Sequence, residues 1–195
     1  SGLNGRYHPT NGSWPGVSSS LFTLTVFILL LSIVQTVRAA NDKGRDVQTA
    51  QLGPVTSPWV SADIGTVGVT GSADETSGTF TIEGGGANIG GTEDAFHFVY
   101  QTLYGDGSIT ANVASLSGGG TTPRAGLMMR DGLAADAAHV SAVVQGNRIR
   151  LLDRASAGGN TTDALGYSQG APEWIRIERS GTTFTLSRSN DGSSW

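Results

Sequence analysis

DAFHFVYQTLYGDGSITANVASL, residues 94–116, alternates with a period of two. Phe96, Phe98 and Tyr100 fall on one side and His97, Val99 and Gln101 on the other, which is the repeat of a pleated strand and not of a helix. Gly105-Asp106-Gly107 interrupts the pattern and Ser108–Leu116 resumes it. The stretch therefore predicts two strands joined as a hairpin through a glycine-rich loop.

The same signal continues on both sides. Thr79–Glu83 (TFTIE) alternates and ends in Gly84-Gly85-Gly86, and Ala125–Arg130 (AGLMMR) follows the break at 118–123. Val140–Gln145 and Arg148–Asp153 flank Gly146-Asn147 as a second hairpin. Glu173–Arg179 and Thr183–Arg188 flank Ser180-Gly181-Thr182 as a third. Ala155–Ala164 reads as a loop, and Gly132–Ala138 is the one stretch suited to a short helical turn. The pattern gives eight or nine strands beginning near Pro58-Trp59, with no internal repeat.

Composition agrees. Glycine supplies 29 of 195 residues, roughly twice the usual share of about 7%, and charged residues only 14% against about 25%. Glycine without a Gly-X-Y period belongs to turns between short strands rather than to collagen. The absence of cysteine excludes a disulfide scaffold, a thiolate metal site and a cysteine nucleophile. A net charge of −4 argues against nucleic-acid binding through bulk charge.

The front of the chain reads differently. Leu21–Val34 (LFTLTVFILLLSIV) is apolar for fourteen residues. As a helix it spans roughly 21 Å, short of a hydrocarbon core of about 30 Å. Val37-Arg38-Ala39-Ala40 then offers small residues for cleavage after Ala39, so residues 1–39 are expected to be an N-terminal extension with a signal-peptide-like segment. An uncleaved N-terminal anchor is the alternative, and it would be the only membrane contact. The single Arg6 is a weak basic flank, and Ser1 in place of Met suggests a fragment or a mistaken start. Residues 40–57 read as a polar linker and 58–195 as the domain. Residues 40–195 carry 10 basic and 16 acidic side chains, a formal charge of −6. An exported chain without cysteine points to a bacterial source. Ser189–Trp195 places Asp191-Gly192 in a hairpin turn whose partner strand has barely begun, so the domain is expected to lack its last strand or strands.

No catalytic constellation emerges. His97 and His139 are the histidines of the domain, each in or next to a strand, with no Gly-x-Ser-x-Gly elbow and no second histidine at metal-binding spacing. A glycosidase needs two carboxylates on one groove. Glu93 and Asp94 are adjacent and point apart, and Glu173 and Glu178 fall on opposite faces. Calcium could be held by the oxygen-rich loop Gly91–Asp94 or by Asp106, without a diagnostic spacing. Gly84–Gly86 and Gly118–Gly120 lack the Lys-Ser/Thr ending of a phosphate loop. No cofactor is implied.

Arginines at strand spacing stand out. Arg148 and Arg150 share a face opposite Ile149 and Leu151, Arg176 lies opposite Ile175 and Ile177, and Arg130 lies opposite Leu127 and Met129. In one sheet they would form a patch of planar donors suited to sugar hydroxyls, uronates or sulfates. The bland counterpart is the solvated side of half-buried strands. Arg130, Arg148, Arg150 and Arg176, with His97 and Gln101, are the candidate ligand-binding residues. Trp59, Tyr104 and Trp174 could stack on sugar rings or simply fill the core and turns.

Pro58-Trp59, Asp63-Ile64-Gly65, Thr92–Gln101 (TEDAFHFVYQ), Gly105–Ile109 and Ala125–Arg130 together resemble a family. It is the bacterial extracellular concanavalin A-like lectin/glucanase domains, specifically the domain of unknown function once given an "enolase regulation" label. The resemblance covers residues 58–195 and rests most on Asp-Ala-Phe-x-Phe-x-Tyr-Gln and Ala-Gly-x-Met-x-Arg. It implies a jelly-roll sandwich of two antiparallel sheets, embedded beside other modules in a larger secreted protein, with no catalytic residues to carry over. The expected function is a non-catalytic exported module that binds polysaccharide or a cell-surface glycan, or makes a surface contact. The alternatives are a structural spacer or adhesion domain and, third, a glycoside hydrolase.

Overall fold

A computed structural model of the chain describes residues 5–7, 23–25, 36–38, 55–118, 123–168 and 170–195. Among these the structure is all strand and loop, with no helix. Three short strands lie early in the chain: β1 (Gly5–Tyr7), β2 (Thr23–Thr25) and β3 (Thr36–Arg38). β4 (Val60–Ile64), β5 (Ser72–Thr76), β6 (Thr79–Glu83), β7 (Asn88–Gly90), β8 (Glu93–Tyr100) and β9 (Gly107–Val113) follow. β10 (Arg124–Arg130), β11 (His139–Gln145), β12 (Arg148–Arg154), β13 (Thr162–Tyr167), β14 (Glu173–Ser180) and β15 (Thr183–Ser189) complete the set. Of the linker expected at 40–57, only Val55–Ser57 lie within the described residues.

The strands pair antiparallel throughout. A seven-stranded sheet has the order β1-β15-β14-β9-β3-β6-β5, a five-stranded sheet β13-β12-β11-β10-β2, and a three-stranded sheet β4-β8-β7. Alternation decides what each face does. Phe80, Ile82, Ile109, Ala111, Val113, Ile175, Ile177, Phe184 and Leu186 point inward from the large sheet. They meet Ala125, Leu127, Met129, Val140, Ala142, Val144, Ile149 and Leu151 of the five-stranded sheet, which makes a β-sandwich. Trp59 packs edge-on to Phe80 at 5.2 Å.

The five-stranded sheet is apolar on its other face as well. Met128, Val143 and Leu152 pack there with Ile64, Ile89, Phe96 and Phe98, with Tyr100 beside them. Phe96 and Phe98 meet edge to face at 5.2 Å and are fully buried, each worth roughly 1.5–3 kcal/mol of transfer free energy. β8 thus sends Val99 to the first cluster and its phenylalanines to the second, as its alternation predicts. Gly86, at φ 124°, lets the chain leading into β7 cross β8 closely: a Cβ there would collide with the Ala95 carbonyl.

The hairpins at Gly146-Asn147 and Gly181-Thr182 form as read, closing on Gln145↔Arg148 and Ser180↔Thr183. The hairpin expected through Gly105–Gly107 does not. β8 pairs with β4 and β7, whereas β9 pairs with β14 and β3, so the connection passes from one sheet to another. The loop is fastened to the β14–β15 turn instead. Gly181 N donates to Asp106 Oδ1 (2.6 Å) and Arg179 to the Gly105 carbonyl (3.2 Å). The loop expected at Ala155–Ala164 gives way to β13 at Thr162, and β4, β5 and β7, together with β1, β2 and β3 inside the stretch 1–39 set apart from the domain, join the strands found in the sequence. Gly132–Ala138 holds one hydrogen-bonded turn, Ala137 N to Ala134 O (3.0 Å), and no helix.

Candidate functional site

The outer face of the five-stranded sheet carries the arginines, and its register fixes their order. Successive cross-strand rows are Arg130↔His139↔Arg154, Met128↔Ser141↔Leu152, Gly126↔Val143↔Arg150 and Arg124↔Gln145↔Arg148. Polar rows stand at both ends, with Met128, Leu152 and Val143 between them and Arg150 next to the second end. The two ends have different surroundings.

At the first end the side chains are buried. Arg130, His139, Arg154 and Asp94 expose 1%, 0%, 0% and 2% of their surface. Arg154 grips the Asp94 carboxylate with both terminal nitrogens, at 2.7 and 2.8 Å, which is the bidentate fork geometry. Its remaining donors go to the carbonyls of Gly159 (3.1 Å), Ala135 (3.2 Å), Ala137 (3.2 Å) and Gly91 (3.3 Å). Arg130 approaches Asp94 at 3.6 Å, donates to the Ala134 carbonyl, and lies over Phe96 and Phe98 at 5.3 and 5.6 Å from their centroids. The loop backbones close the knot. Asp94 N donates to Ala135 O (2.9 Å), Gly158 N to Asp136 O (2.9 Å) and Thr161 N to Gly91 O (2.7 Å).

The electrostatics follow from this burial. Desolvation pulls the Arg130 guanidinium down to about 10, with Arg154 adding repulsion and Asp94 opposing it. Desolvation, then Arg154 and Arg130, holds His139 well below its ordinary 6.5, so the ring is neutral. Burial lifts the Asp94 carboxyl above its ordinary range against the pull of both arginines. This end is an internal fastening and offers no ligand an approach.

At the other end the guanidiniums reach solvent. Arg148 is exposed, and Arg124, Gln145 and Arg150 are half-buried. Arg124 Nε donates to Gln145 Oε1 (3.1 Å) and its Nη1 to the Ile89 carbonyl (2.6 Å), so the side chain is held upright on the sheet. Desolvation and the nearby charge of Arg150 pull the Arg124 guanidinium below its ordinary value. Arg150 pairs with Asp163 on β13, both about one-third exposed. This end can receive a ligand.

The expected arginine set therefore divides. Arg148 and Arg150 stand together, Arg130 belongs to the buried knot, and Arg176 lies on the other sheet. There it stacks on Trp195 at 4.5 Å. The single patch required all three strands in one sheet, and β14 is in the larger one. His97 is buried on the opposite face of β8, its Nδ1 2.7 Å from Asp63 Oδ1, while Asp63 also accepts from Gly71 N (3.1 Å). Gln101 follows β8 half-buried. Tyr104 is 71% exposed, and Trp174 lies half-buried with Gly192 against its ring.

The carboxylates are accounted for individually. Glu93 is exposed while its neighbour Asp94 is buried, and Glu173 is buried with Oε1 3.3 Å from Arg188 while Glu178 is exposed. Of the oxygens suggested for calcium, those of Asp94 face Arg154, and Asp106 Oδ1 accepts from Gly181 N. Among the described residues no three His, Asp or Glu side chains converge as a metal group. Asp191 Oδ1 accepts from Ser193 N (2.8 Å) and Ser194 N (2.7 Å), which turns the chain end and holds that carboxyl far below its ordinary value.

Arg124, Gln145 and Arg154 of these rows are not among the sequence candidates. Arg124 sits one position before the strand read at Ala125, and Arg154 one position after the strand read to Asp153. Extending the two-residue period by one step at each strand end places both on the arginine face.

Fold and site together define an all-β antiparallel sandwich with an arginine-lined outer sheet face. Compared with protein-family models, curated proteins and solved structures, the chain matches none. Among the described residues no helix is long and apolar enough to cross a membrane.

Proposed function

We propose that the chain is an exported, non-catalytic β-sandwich module of the concanavalin A-like jelly-roll type that binds carbohydrate at a surface. The observation that carries this reading is the open end of the sheet face. There Arg124, Gln145, Arg148 and Arg150 present hydrogen-bond donors to solvent, with Arg124 braced on Gln145 and Ile89, on a face packed elsewhere. Planar donors of this kind suit hydroxyl, carboxylate and sulfate groups of a glycan. Export rests on the apolar run and the small residues ahead of Ala40, and it leads to the cell surface or the medium, with anchoring through the uncleaved N-terminal segment as the alternative, the one that keeps β1, β2 and β3 in the sheets. Other modules of a larger surface protein are the natural company of such a domain.

A glycan array with neutral and acidic glycans tests the reading. Binding to at least one class is expected, and silence across the array defeats it. A structural spacer or adhesion domain is the second reading, favoured by the inward use of Arg130 and Arg154 to fasten loops. It predicts that Arg124, Arg148 and Arg150 can all be changed to Ala with no loss of any binding.

A further inference from the structure

The open end of the arginine face narrows the ligand class, on the assumption that the carbohydrate reading above holds. Charge comes first. Arg124, Arg148 and Arg150 bring three guanidiniums to one end of one sheet, and Asp163 is the carboxylate paired with them among the described residues. The patch is positive on a chain whose net charge is −4.

Spacing comes next. Arg124 and Arg148 flank Gln145 in one row, and adjacent strands lie about 5 Å apart, so the two backbones stand about 10 Å apart, with Arg150 on the adjacent row two residues along β12 from Arg148. Anchoring is the third observation. Arg124 spends Nε and Nη1 on Gln145 and Ile89, which fixes its half-buried side chain beside the like charge of Arg150. A guanidinium that merely solvates a strand needs no such bracing. One that is braced beside like charge is relieved by an anion.

We infer that the Arg124–Gln145–Arg148 row, with Arg150, binds an acidic polysaccharide, one whose carboxylates or sulfates recur along the chain. The exposed Arg148 guanidinium takes an anionic group bidentately, Arg124 adds the donors it has not spent, and the Gln145 amide N–H takes a hydroxyl between them. Duplex nucleic acid fits less well. It carries a charge about every 1.7 Å, and the excess of acidic residues elsewhere on the molecule repels so dense an anion. A sugar polymer with one charge per residue or fewer meets the local patch without that penalty.

The test is affinity electrophoresis and calorimetry of the full chain against polygalacturonate, dextran sulfate, laminarin and duplex DNA, with thermal melting of every variant as the control for folding. Polygalacturonate or dextran sulfate is expected to bind, laminarin and DNA much more weakly. Arg124→Gln with Arg148→Gln is expected to weaken binding by about tenfold or more, equivalent to about 1.4 kcal/mol, at an unchanged melting temperature. Arg124→Lys with Arg148→Lys is expected to lose most of the same affinity, since an ammonium cannot replace a planar fork. Binding to laminarin alone overturns the acidic ligand and leaves the carbohydrate reading standing. Binding to nothing overturns both. Equal binding to DNA, or full binding by the lysine variant, shows general polyanion attraction and overturns the site. Acidic binding untouched by either double variant places the ligand elsewhere and does the same.

Discussion

The two ends of one sheet face use the same residue for opposite purposes. Arg130 and Arg154 at one end and Arg148 and Arg150 at the other share a face and a two-residue spacing. At the buried end the turn at 131–138, the loop at 156–161 and Gly91 close over the side chains, and Asp94 supplies the carboxylate that makes burial tolerable. At the open end the cover stops at Ile89, whose carbonyl braces Arg124. What separates a fastening from an open surface is the segment laid across the strand and the charge it brings. The strand itself is indifferent.

Breaking the buried end should cost most. Asp94→Ala leaves two buried guanidiniums without their anion, and a loss of about 3–5 kcal/mol is expected in urea unfolding. Against a typical total of about 5–15 kcal/mol this is a large share. Replacing both partners, Asp94→Leu with Arg154→Met, is expected to lose less than Asp94→Ala alone, because one buried guanidinium, Arg130, and not two is then left without its anion. A double replacement that is worse than the single one would mean that hydrogen bonds from Arg154 to the loop carbonyls, and not charge balance, dominate the knot.

The pH dependence sharpens the same contrast with a smaller effect. His139 is held neutral in the fold below its ordinary 6.5, so the unfolded chain binds the proton more tightly. Its contribution is complete above about pH 6.5 and is lost as the pH falls below that, at about 1.4 kcal/mol per pH unit. Asp94 acts in the opposite sense between 3.8 and its raised value, where the folded state holds the proton more tightly and acid favours the fold. Melting temperatures from pH 7.5 to 5 should therefore fall, and His139→Asn should flatten that slope. An unchanged slope would show that the ring is not buried as a neutral base.

The exposed ion pair should matter least. Arg150 and Asp163 are about one-third exposed, and a double-mutant cycle is expected to give a coupling of about 0–1 kcal/mol, declining with salt. A larger coupling would mean that the open end is also a fastening.

Much of this was legible in the alternation alone. The bounds of β6, the turns at 146–147 and 181–182, and the opposite destinations of Val99 and the phenylalanines of β8 all follow from period and turn chemistry. Partner choice was not. Alternation reads Ser108–Leu116 as a strand, of which the part to Val113 pairs, but pairing with β14 instead of β8 depends on contacts 60 to 72 residues apart in sequence. β13 escapes notice because Thr162–Tyr167 has little β-branched apolar content and lies between glycines. The sorting of the arginines was hidden for a related reason. Whether an arginine on a strand is dry or wet is settled by Asp94 and the 131–138 turn, which no local pattern connects to it.

The division of the arginine face is tested most directly by urea unfolding of Arg154→Met and Arg148→Met side by side. Arg154→Met is expected to lose about 3 kcal/mol or more and Arg148→Met to stay within about 0.5 kcal/mol of the parent. Equal losses, or a loss confined to Arg148→Met, would contradict it.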